Sequence, residues 1–234
     1  PSFSDRTDLN GNGTKDGKLG YQQIPGWNGR CIPGEAFSGT DCNQKLIGAR
    51  YYNAGWGGDA GIRARFPYEF LSARDYDGHG THTAGTIGAI GNNGAGVAGV
   101  NWRCKLVPMR FLGPAGAGGS ISDAIEAIYY YTAMGVANPG LNFVGTNNSW
   151  GGGPSSVLVA SAIQAAGNNG HLFFAAAGND TSDNNLVASY PSNYSVLSTY
   201  NGVTYDPLIS VASITNTGAL SSFSNWGATT VDIA

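Results

Sequence analysis

Apolar side chains downstream of residue 79 recur at two kinds of spacing, and the two kinds alternate along the chain. Residues spaced three or four apart predict helices over about 79–90, after Ser120, and over 155–167. The predicted apolar faces are Ala84, Ile87 and Ile90; Ile121, Ala124, Ile125 and Ile128; and Leu158, Ala162, Ile163 and Ala166. Ser120-Ile121-Ser122-Asp123 also resembles a capping box at the start of the second helix.

Short apolar runs outside these helices predict strands. The runs are 46–52, 105–112, 143–148, 171–177 and 208–214, and Val231 starts a last one. Alternating strands and helices are the order of a mostly parallel sheet with helices on both faces. We therefore expect a three-layer α/β fold.

The first 45 residues lack apolar periodicity and predict loop. We take 1–52 as a loop-rich amino-terminal segment of a single domain with its α/β core at 53–234, because neither a repeat nor a linker divides the chain. Within this segment, a row of oxygen-bearing side chains resembles the front half of an EF-hand calcium loop: Asp8, Asn10, Asn12 and Asp16. Leu19 stands where the bidentate glutamate of such a loop belongs. A calcium loop and a solvated Asx-turn loop are therefore both open interpretations.

Composition limits the partners that this chain can have. Charged residues make up only 12% of the 234, and hydrophobic residues 41%, so the surface must be polar through uncharged side chains and glycine, which suits a secreted protein. A net charge of −3 without a basic cluster argues against nucleic acid. No apolar run approaches the roughly 20 residues of a membrane span. Because Pro1 is not a start residue, we expect a mature piece or a fragment of a longer chain.

Three cysteines allow one disulfide and leave one thiol. Cys31 and Cys42 lie in a segment rich in Gly, Pro, Ser and Asn, a suitable setting for a disulfide formed in an oxidising compartment. Cys104 starts an apolar run, and we expect its thiol to be buried as a small hydrophobe. This cysteine usage fits a secreted protein and points to no cysteine nucleophile.

Candidate chemistry is concentrated in Asp75-Tyr76-Asp77-Gly78-His79-Gly80-Thr81-His82, where two histidines follow two carboxylates. Glycines on both sides of His79 let other backbone or a ligand approach it closely. His79 and His82 could bind a metal together, but a zinc site needs a third ligand at a compatible spacing, and none presents itself. We expect His82 to pack within the helix and Asp77 to be the helix N-cap.

Glycine-rich segments follow three of the predicted strands: Gly113–Gly119, Ser149–Gly153 and Gly178–Asp180. The carboxyl ends of parallel strands form one edge of a sheet, and ligands bind at that edge in open α/β folds. Segments that expose their backbone there can hold an extended peptide through main-chain hydrogen bonds. A peptide or protein substrate is therefore expected.

Several segments together resemble those of the subtilisin-like serine proteases, the subtilases. Asp77–Gly85 resembles their histidine motif, Asn148–Gly152 their substrate-strand segment and Ala176–Asn179 their oxyanion asparagine motif. Ser222–Asn225 and Val231–Ala234 resemble the segments that lead up to the nucleophile. The segments come in the family's order and cover nearly the whole chain, and the amino-terminal part looks most like the cucumisin-type branch.

This resemblance implies a role for each matching residue. His79 would be the general base of a Ser-His-Asp triad, and Asn179 would donate its side-chain amide to the oxyanion. Two edge segments would hold the substrate backbone, and a third would line the pocket for the side chain before the scissile bond. The edge segments are Gly116-Ala117-Gly118 and Ser149-Trp150-Gly151, and the pocket segment is Ala176-Ala177-Gly178.

Two motifs of the family do not occur in the sequence. Its aspartate motif, Asp followed by Thr or Ser and Gly, is expected before Pro1, and its nucleophile motif, Gly-Thr-Ser-Met-Ala, after Ala234. We therefore expect an interior fragment of a secreted, monomeric endopeptidase, truncated at both ends and inactive as it stands. The alternatives are a non-catalytic peptide-binding domain and a metal-dependent hydrolase that uses His79 and His82.

The resemblance also implies a structural calcium site and no organic cofactor. Gly91–Val97 resembles the family's calcium loop, in which Asn93 would supply a side-chain oxygen and Ala95 and Val97 backbone carbonyls. Ser2 stands at the position of the family's aspartate ligand, so this site would hold the ion with less negative charge.

Overall fold

The computed structural model of this protein describes residues 6–7, 17–18, 31–43, 45–74, 76–92, 96–114 and 117–234. The chain forms two compact units, Pro1–Ala124 and Ile125–Ala234. Each unit contains helices and a pair of parallel strands or more, which confirms the predicted α/β class. The division at residue 52 into a loop-rich segment and a core stays a prediction.

The described residues of the first unit form short strands and two complete helices. Its strands are β1 (Arg6–Thr7), β2 (Gly17–Lys18), β3 (Arg50–Tyr51) and β4 (Met109–Arg110). Its helices are α1 (Gly58–Arg65) and α2 (His79–Gly88), and 3-10 turns lie at Gly39–Asp41 and Ala54–Trp56. Strands β1 and β2 pair antiparallel, whereas β3 and β4 pair parallel. The sequence pattern missed β1, β2 and α1.

The predicted strand at 105–112 is mostly irregular, and only Met109–Arg110 forms a ladder. Leu106 makes an isolated parallel bridge with Leu46, so the two segments already run side by side before β3 and β4 pair. A buried cation connects the same two segments, because the Lys45 ammonium donates to the Trp102 and Cys104 carbonyls at 2.9 and 3.0 Å. Burial lowers the pKa of Lys45.

The cysteines are placed in the first unit. Cys31 and Cys42 form a disulfide, with their Cα atoms 6.0 Å apart. Cys104 is half-buried rather than buried, and its thiol donates to the Asn101 carbonyl at 3.2 Å. A turn at 101–104 therefore holds the thiol beside polar backbone, which the apolar run after it did not indicate.

The second unit is built around a parallel sheet of three strands in the order β5-β6-β9. Its strands are β5 (Gly145–Asn148), β6 (Leu172–Ala176), β7 (Ser198–Tyr200), β8 (Val203–Tyr205) and β9 (Leu208–Val211). Helix α3 (Ile121–Ala137) leads into this unit, α4 (Val157–Gly167) lies within it, and a 3-10 turn follows α3 at Pro139–Leu141. Val211 makes a further parallel bridge with Ile233, where a last strand was predicted.

The buried face of α4 differs from the predicted one by one position. Ala162, Ile163 and Ala166 are buried as expected, but Leu158 is 62% exposed, and Val159 is buried instead at 1%. Leu158 and Val159 each lie four residues before a buried residue, Ala162 and Ile163 respectively, so the helical spacing alone fits either of them. Burial of Val159 shows that the helix turns its Val159–Ile163 side, four residues apart, toward the core.

Candidate active site

Helix α2 begins at His79, the residue predicted to be the general base. The residue before it, Gly78, is the N-cap and has a φ of 79°, a left-handed conformation that glycine adopts without steric cost. The prediction that Asp77 caps this helix is therefore wrong. A left-handed residue between Asp77 and the helix turns the chain so that the cap position falls one residue later.

The histidine helix presents its first turn to solvent. His79 and His82 are both exposed, so the expected packing of His82 is wrong. The buried residues of the helix are Gly85 and Gly88, whereas Ile87, which belongs to the predicted apolar face, is 37% exposed. A Cβ added at Gly88 would meet the side chains of Cys104 and Leu106, so the glycine lets these two residues approach the helix closely.

The segment that leads into the histidine helix is held by Arg110. Its Nη1 donates to the carbonyl oxygens of Phe70, Ser72 and Arg74 at 2.8, 2.9 and 2.6 Å. Arg110 comes from β4, so a strand of the unit fixes the backbone that precedes His79. Nη1 carries two N–H groups, so one of them is shared between two of the three carbonyls.

A shallow surface pocket of about 270 Å³ lies beside the start of this helix. Tyr68, Tyr76, Asp77 and Pro114 line it, and the rings of the two tyrosines are 5.2 Å apart. Both tyrosines are more than half exposed. The surface next to His79 thus combines aromatic rings with one carboxylate.

The described residues include no group of three or more His, Cys, Asp or Glu that could hold a metal ion. For the pair His79 and His82, the described part of the chain therefore offers no third ligand, and a hydrolase of the zinc type would need one.

The second unit brings two of the predicted substrate segments to one edge of its sheet. Asn148, the last residue of β5, is in register with Ala175 of β6. Ser149–Gly151 and Ala176–Gly178 therefore leave the sheet at the same, carboxyl-terminal edge. Trp150 is half-buried, and its indole N–H donates to the Asn148 side-chain oxygen at 3.2 Å. Gly152 donates to the Tyr190 carbonyl at 3.2 Å, which fixes the end of the first segment.

Asn179 is an exposed residue on the turn that follows β6. Before it, Ala177 is buried and donates to the Val211 carbonyl of β9 at 2.8 Å, so the turn starts from the centre of the sheet. After it, the N–H groups of Asp180 and Ser182 donate to the side chain of Asn225. The turn is thus anchored on both sides of Asn179, and the side-chain amide of Asn179 is left on the surface.

Sequence reasoning assigned no role to Asn184 or Asn225, which anchor this turn. Their side chains are 2% and 1% exposed. In the sequence, Ser222–Asn225 was identified only by its resemblance to a subtilase segment that leads up to the nucleophile. Two fully buried asparagines require partners for all of their polar atoms, but the sequence did not indicate that these two residues are buried.

Some of the remaining predicted site residues lie within the described ranges and others lie outside them. Ala117, Gly118 and Val97 belong to the first unit, and Val97 is 59% exposed. The others lie outside the described residues: Asp8, Asn10, Asn12, Asp16, Asn93, Ala95 and Gly116. His79 belongs to the first unit and Asn179 to the second.

The subtilase family model matches residues 10–234, so this chain belongs to the subtilase family. An extracellular protease of Xanthomonas campestris is 39% identical over 160 residues, which are 67% of this chain and 25% of that protein. A subtilisin-like protease of Arabidopsis thaliana is 45% identical over 89 residues, 34% of this chain and 12% of that protein. The chain thus spans a quarter or less of the length of these two relatives.

Solved subtilisin-like proteases share the fold. A cold-adapted subtilisin-like serine proteinase is 25% identical with a TM-score of 0.53, over 90% of this chain and 70% of that one. A psychrophilic subtilisin-like protease from an Antarctic Pseudoalteromonas is 28% identical with a TM-score of 0.52, over 77% of this chain and 34% of that one. No helix in the described ranges is long and apolar enough to cross a membrane.

Proposed function

We propose that this chain is the part of a secreted serine endopeptidase that supplies the general base, His79, and the oxyanion donor, Asn179. The observation that carries the proposal is the sheet edge in the second unit. Asn179 leaves β6 at the same edge as Ser149–Gly151 leaves β5, so an oxyanion donor and a strand for the substrate backbone share one edge. Membership of the subtilase family supports this assignment.

The proposed reaction is hydrolysis of a peptide bond in an extended substrate. His79 takes the proton of a serine hydroxyl while the serine oxygen attacks the scissile carbonyl. Asn179 donates its amide N–H to the negative oxygen of the tetrahedral intermediate. His79 then protonates the leaving amine, and water hydrolyses the acyl-enzyme by the same steps. Exposure of both side chains is what a reaction with an external substrate needs.

Substrate binding is proposed to occur by strand addition. The backbone of Ser149–Gly151 continues from β5, and main-chain hydrogen bonds along such a segment bind any extended peptide, irrespective of sequence. Specificity then depends on the pocket segment Ala176–Gly178. Its residues are small, so they leave room for the substrate side chain before the scissile bond.

The 234 residues contain no Gly-Thr-Ser motif and no aspartate motif of the family. We propose that this chain by itself hydrolyses no peptide bond. Labelling with a serine-directed phosphonate tests this: we expect no stoichiometric label on the 234-residue chain. A stoichiometric label on one of its serines would overturn the proposal.

The roles of His79 and Asn179 are tested in the complete gene product. We expect His79→Ala to abolish most peptidase activity. Asn179→Ala should lower kcat by about 10²–10³-fold, the range already known for this donor in a subtilisin. His82→Ala is the matched control, because His82 is also exposed on the same helix and should keep the wild-type rate. Wild-type rates in His79→Ala, or loss of activity in His82→Ala with loss of a bound metal, would contradict the proposal.

A non-catalytic peptide-binding domain is the second candidate, supported by the same sheet edge. It is separated from the first by assaying the complete gene product. Turnover of a peptide substrate favours the endopeptidase, whereas binding of that peptide without turnover favours the binding domain.

A calcium ion is proposed only as a structural ligand of the Gly91–Val97 loop. Of the three predicted ligands, Val97 alone is a described residue, and it would contribute a backbone carbonyl. None of the three is a carboxylate, so the donor set fits weak binding, and no step of the reaction is assigned to the ion. Secretion of this chain is proposed from its disulfide and from its similarity to an extracellular protease.

A further inference from the structure

The turn that presents Asn179 is bound to a second segment of the same unit, and Asn225 makes the central contacts. Its side-chain Oδ1 accepts hydrogen bonds from the backbone N–H groups of Asp180 and Ser182 at 2.8 and 3.2 Å. Its own backbone N–H donates to the Gly178 carbonyl at 3.0 Å. Asn225 therefore binds the backbone on both sides of Asn179.

The amide of Asn225 can be satisfied in one orientation only. The Ala177 carbonyl can only accept, so the atom of Asn184 that faces it at 2.8 Å must be the amide nitrogen. The side-chain oxygen of Asn184 then faces Asn225, which must donate to it, at 3.0 Å. This leaves the Asn225 oxygen to face the two backbone N–H groups of the turn. A directed chain of hydrogen bonds thus runs through two buried asparagines from one side of Asn179 to the other.

Gly178 completes this arrangement. Its φ is +122°, and a Cβ added at this position would lie 2.3 Å from Nδ2 of Asn225. Any side chain at residue 178 would therefore be strained and would also displace the Asn225 amide. The close approach of the turn to Asn225 is possible only because residue 178 is glycine.

The neighbouring backbone fixes Asn225 itself. Thr181 donates to the Phe223 carbonyl at 3.0 Å, Trp226 donates to the Ser182 carbonyl at 3.0 Å, and Asn184 donates to the Trp226 carbonyl at 2.7 Å. The two segments run side by side through these bonds. Asn225 is therefore fixed in place without substrate, and its hydrogen bonds to the turn fix the backbone around Asn179.

We propose that Asn225 is a positioning residue for the oxyanion donor: it fixes the turn so that the Asn179 amide is already oriented when negative charge develops. The inference rests on the role proposed above for Asn179. A donor stabilises a developing oxyanion best when no reorganisation is needed, and a displacement of about 1 Å can cost up to about 10²-fold in rate.

A double-mutant cycle in the complete gene product tests this role. The variants are Asn225→Ala, Asn179→Ala and the two together, with kcat and KM measured for a peptide substrate. We expect Asn225→Ala to lower kcat between about 10- and 10²-fold with little change in KM, because it misplaces the donor and leaves the substrate strand Ser149–Gly151 intact. In the Asn179→Ala background the same change should have almost no further effect, since the donor is already gone.

The control is Asn169→Ala. Asn169 follows the end of α4, and its side chain donates to the Ala165 carbonyl at 2.8 Å. It lies before the start of β6, whereas the Asn179 turn lies after the end of that strand. Asn169→Ala therefore removes an asparagine side-chain hydrogen bond at the opposite end of β6 and should leave kcat unchanged. An equal fall in kcat for Asn225→Ala in both backgrounds, or no fall in either, would overturn the proposal.

A second variant covers the case in which Asn225→Ala does not fold. Asn225→Asp keeps the oxygen that accepts from Asp180 and Ser182 but loses the donor to Asn184, so it should lower kcat, but by less than Asn179→Ala does. Wild-type kcat in Asn225→Asp combined with fast exchange of the Asp180 and Ser182 amide protons would also contradict the inference. If Asn179→Ala itself keeps the wild-type kcat, the proposed function fails; if only the Asn225 variants do, this inference fails alone.

Discussion

Nη2 of Arg110 lies 3.2 Å from Oε1 of Glu69, and the two side chains are only 9% and 1% exposed. Removing one member of a buried ion pair leaves the other charge without compensation. Because Arg110 also binds three carbonyls of the segment before His79, the pair connects the stability of the first unit with the position of the candidate base.

We predict that Arg110→Met lowers the free energy of unfolding by about 3–5 kcal/mol, since it leaves the Glu69 carboxylate buried and unpaired. Urea unfolding followed by circular dichroism measures the change. The matched control is Arg63→Met, which breaks the exposed pair with Glu35 (side chains 40% and 45% exposed) and should cost much less, because water already solvates both charges. Similar losses in both variants would contradict the assignment of a buried pair.

The corrected face of helix α4 gives a second prediction. Val159→Ala removes two buried methyl groups and should lower the free energy of unfolding by about 2 kcal/mol. Leu158→Ala removes a larger side chain, but Leu158 is 62% exposed, so its effect should stay within about 0.5 kcal/mol. The order of the two effects, measured by urea unfolding, decides which residue belongs to the core.

The pH dependence of stability should reflect His171, which lies with its ring 4.9 Å from that of Tyr131 and is 5% exposed. Burial lowers the pKa of His171 below its ordinary value of 6.5. The unfolded chain therefore binds the proton more readily, so stability is complete above pH 6.5 and falls as the pH drops from there toward the folded-state pKa.

Unfolding by urea at a series of pH values between about 7 and 5 tests this prediction. Wild-type protein should lose stability across the range, and His171→Gln should lose less, because the glutamine does not titrate. An unchanged slope in His171→Gln would show that another group is responsible.

Calcium should stabilise the chain weakly. Extracellular sites with few charged ligands bind calcium with a Kd of about 10⁻⁴–10⁻³ M, and at tenfold that concentration the gain is about 1.4 kcal/mol. We expect thermal unfolding to shift upward with calcium and not with magnesium, and Asn93→Ala to remove the shift. A calcium shift that survives in Asn93→Ala would place the ion elsewhere.

Local pattern predicted most of the elements in the second unit but mislocated several boundaries. The strand predicted at 143–148 begins at Gly145, and that at 208–214 ends at Val211. The hairpin of β7 and β8 was missed, although Asn201-Gly202 between them is a typical two-residue hairpin turn. In the first unit α1 was missed, because Ile62 is its one buried residue and its only large apolar side chain, which is too little for a periodic signal.

The sequence by itself determined the family, the α/β class and the identity of His79 and Asn179 as candidates, because each depends on residue types at fixed spacing along the chain. Tertiary structure alone decided which polar groups are buried. Lys45, Glu69 and Asn225 have ordinary sequence surroundings, yet each is almost fully removed from solvent and bound to residues distant in the chain. Hydrogen bonds between distant segments leave no periodic signal, so the anchoring of the Asn179 turn could be found only in the folded chain.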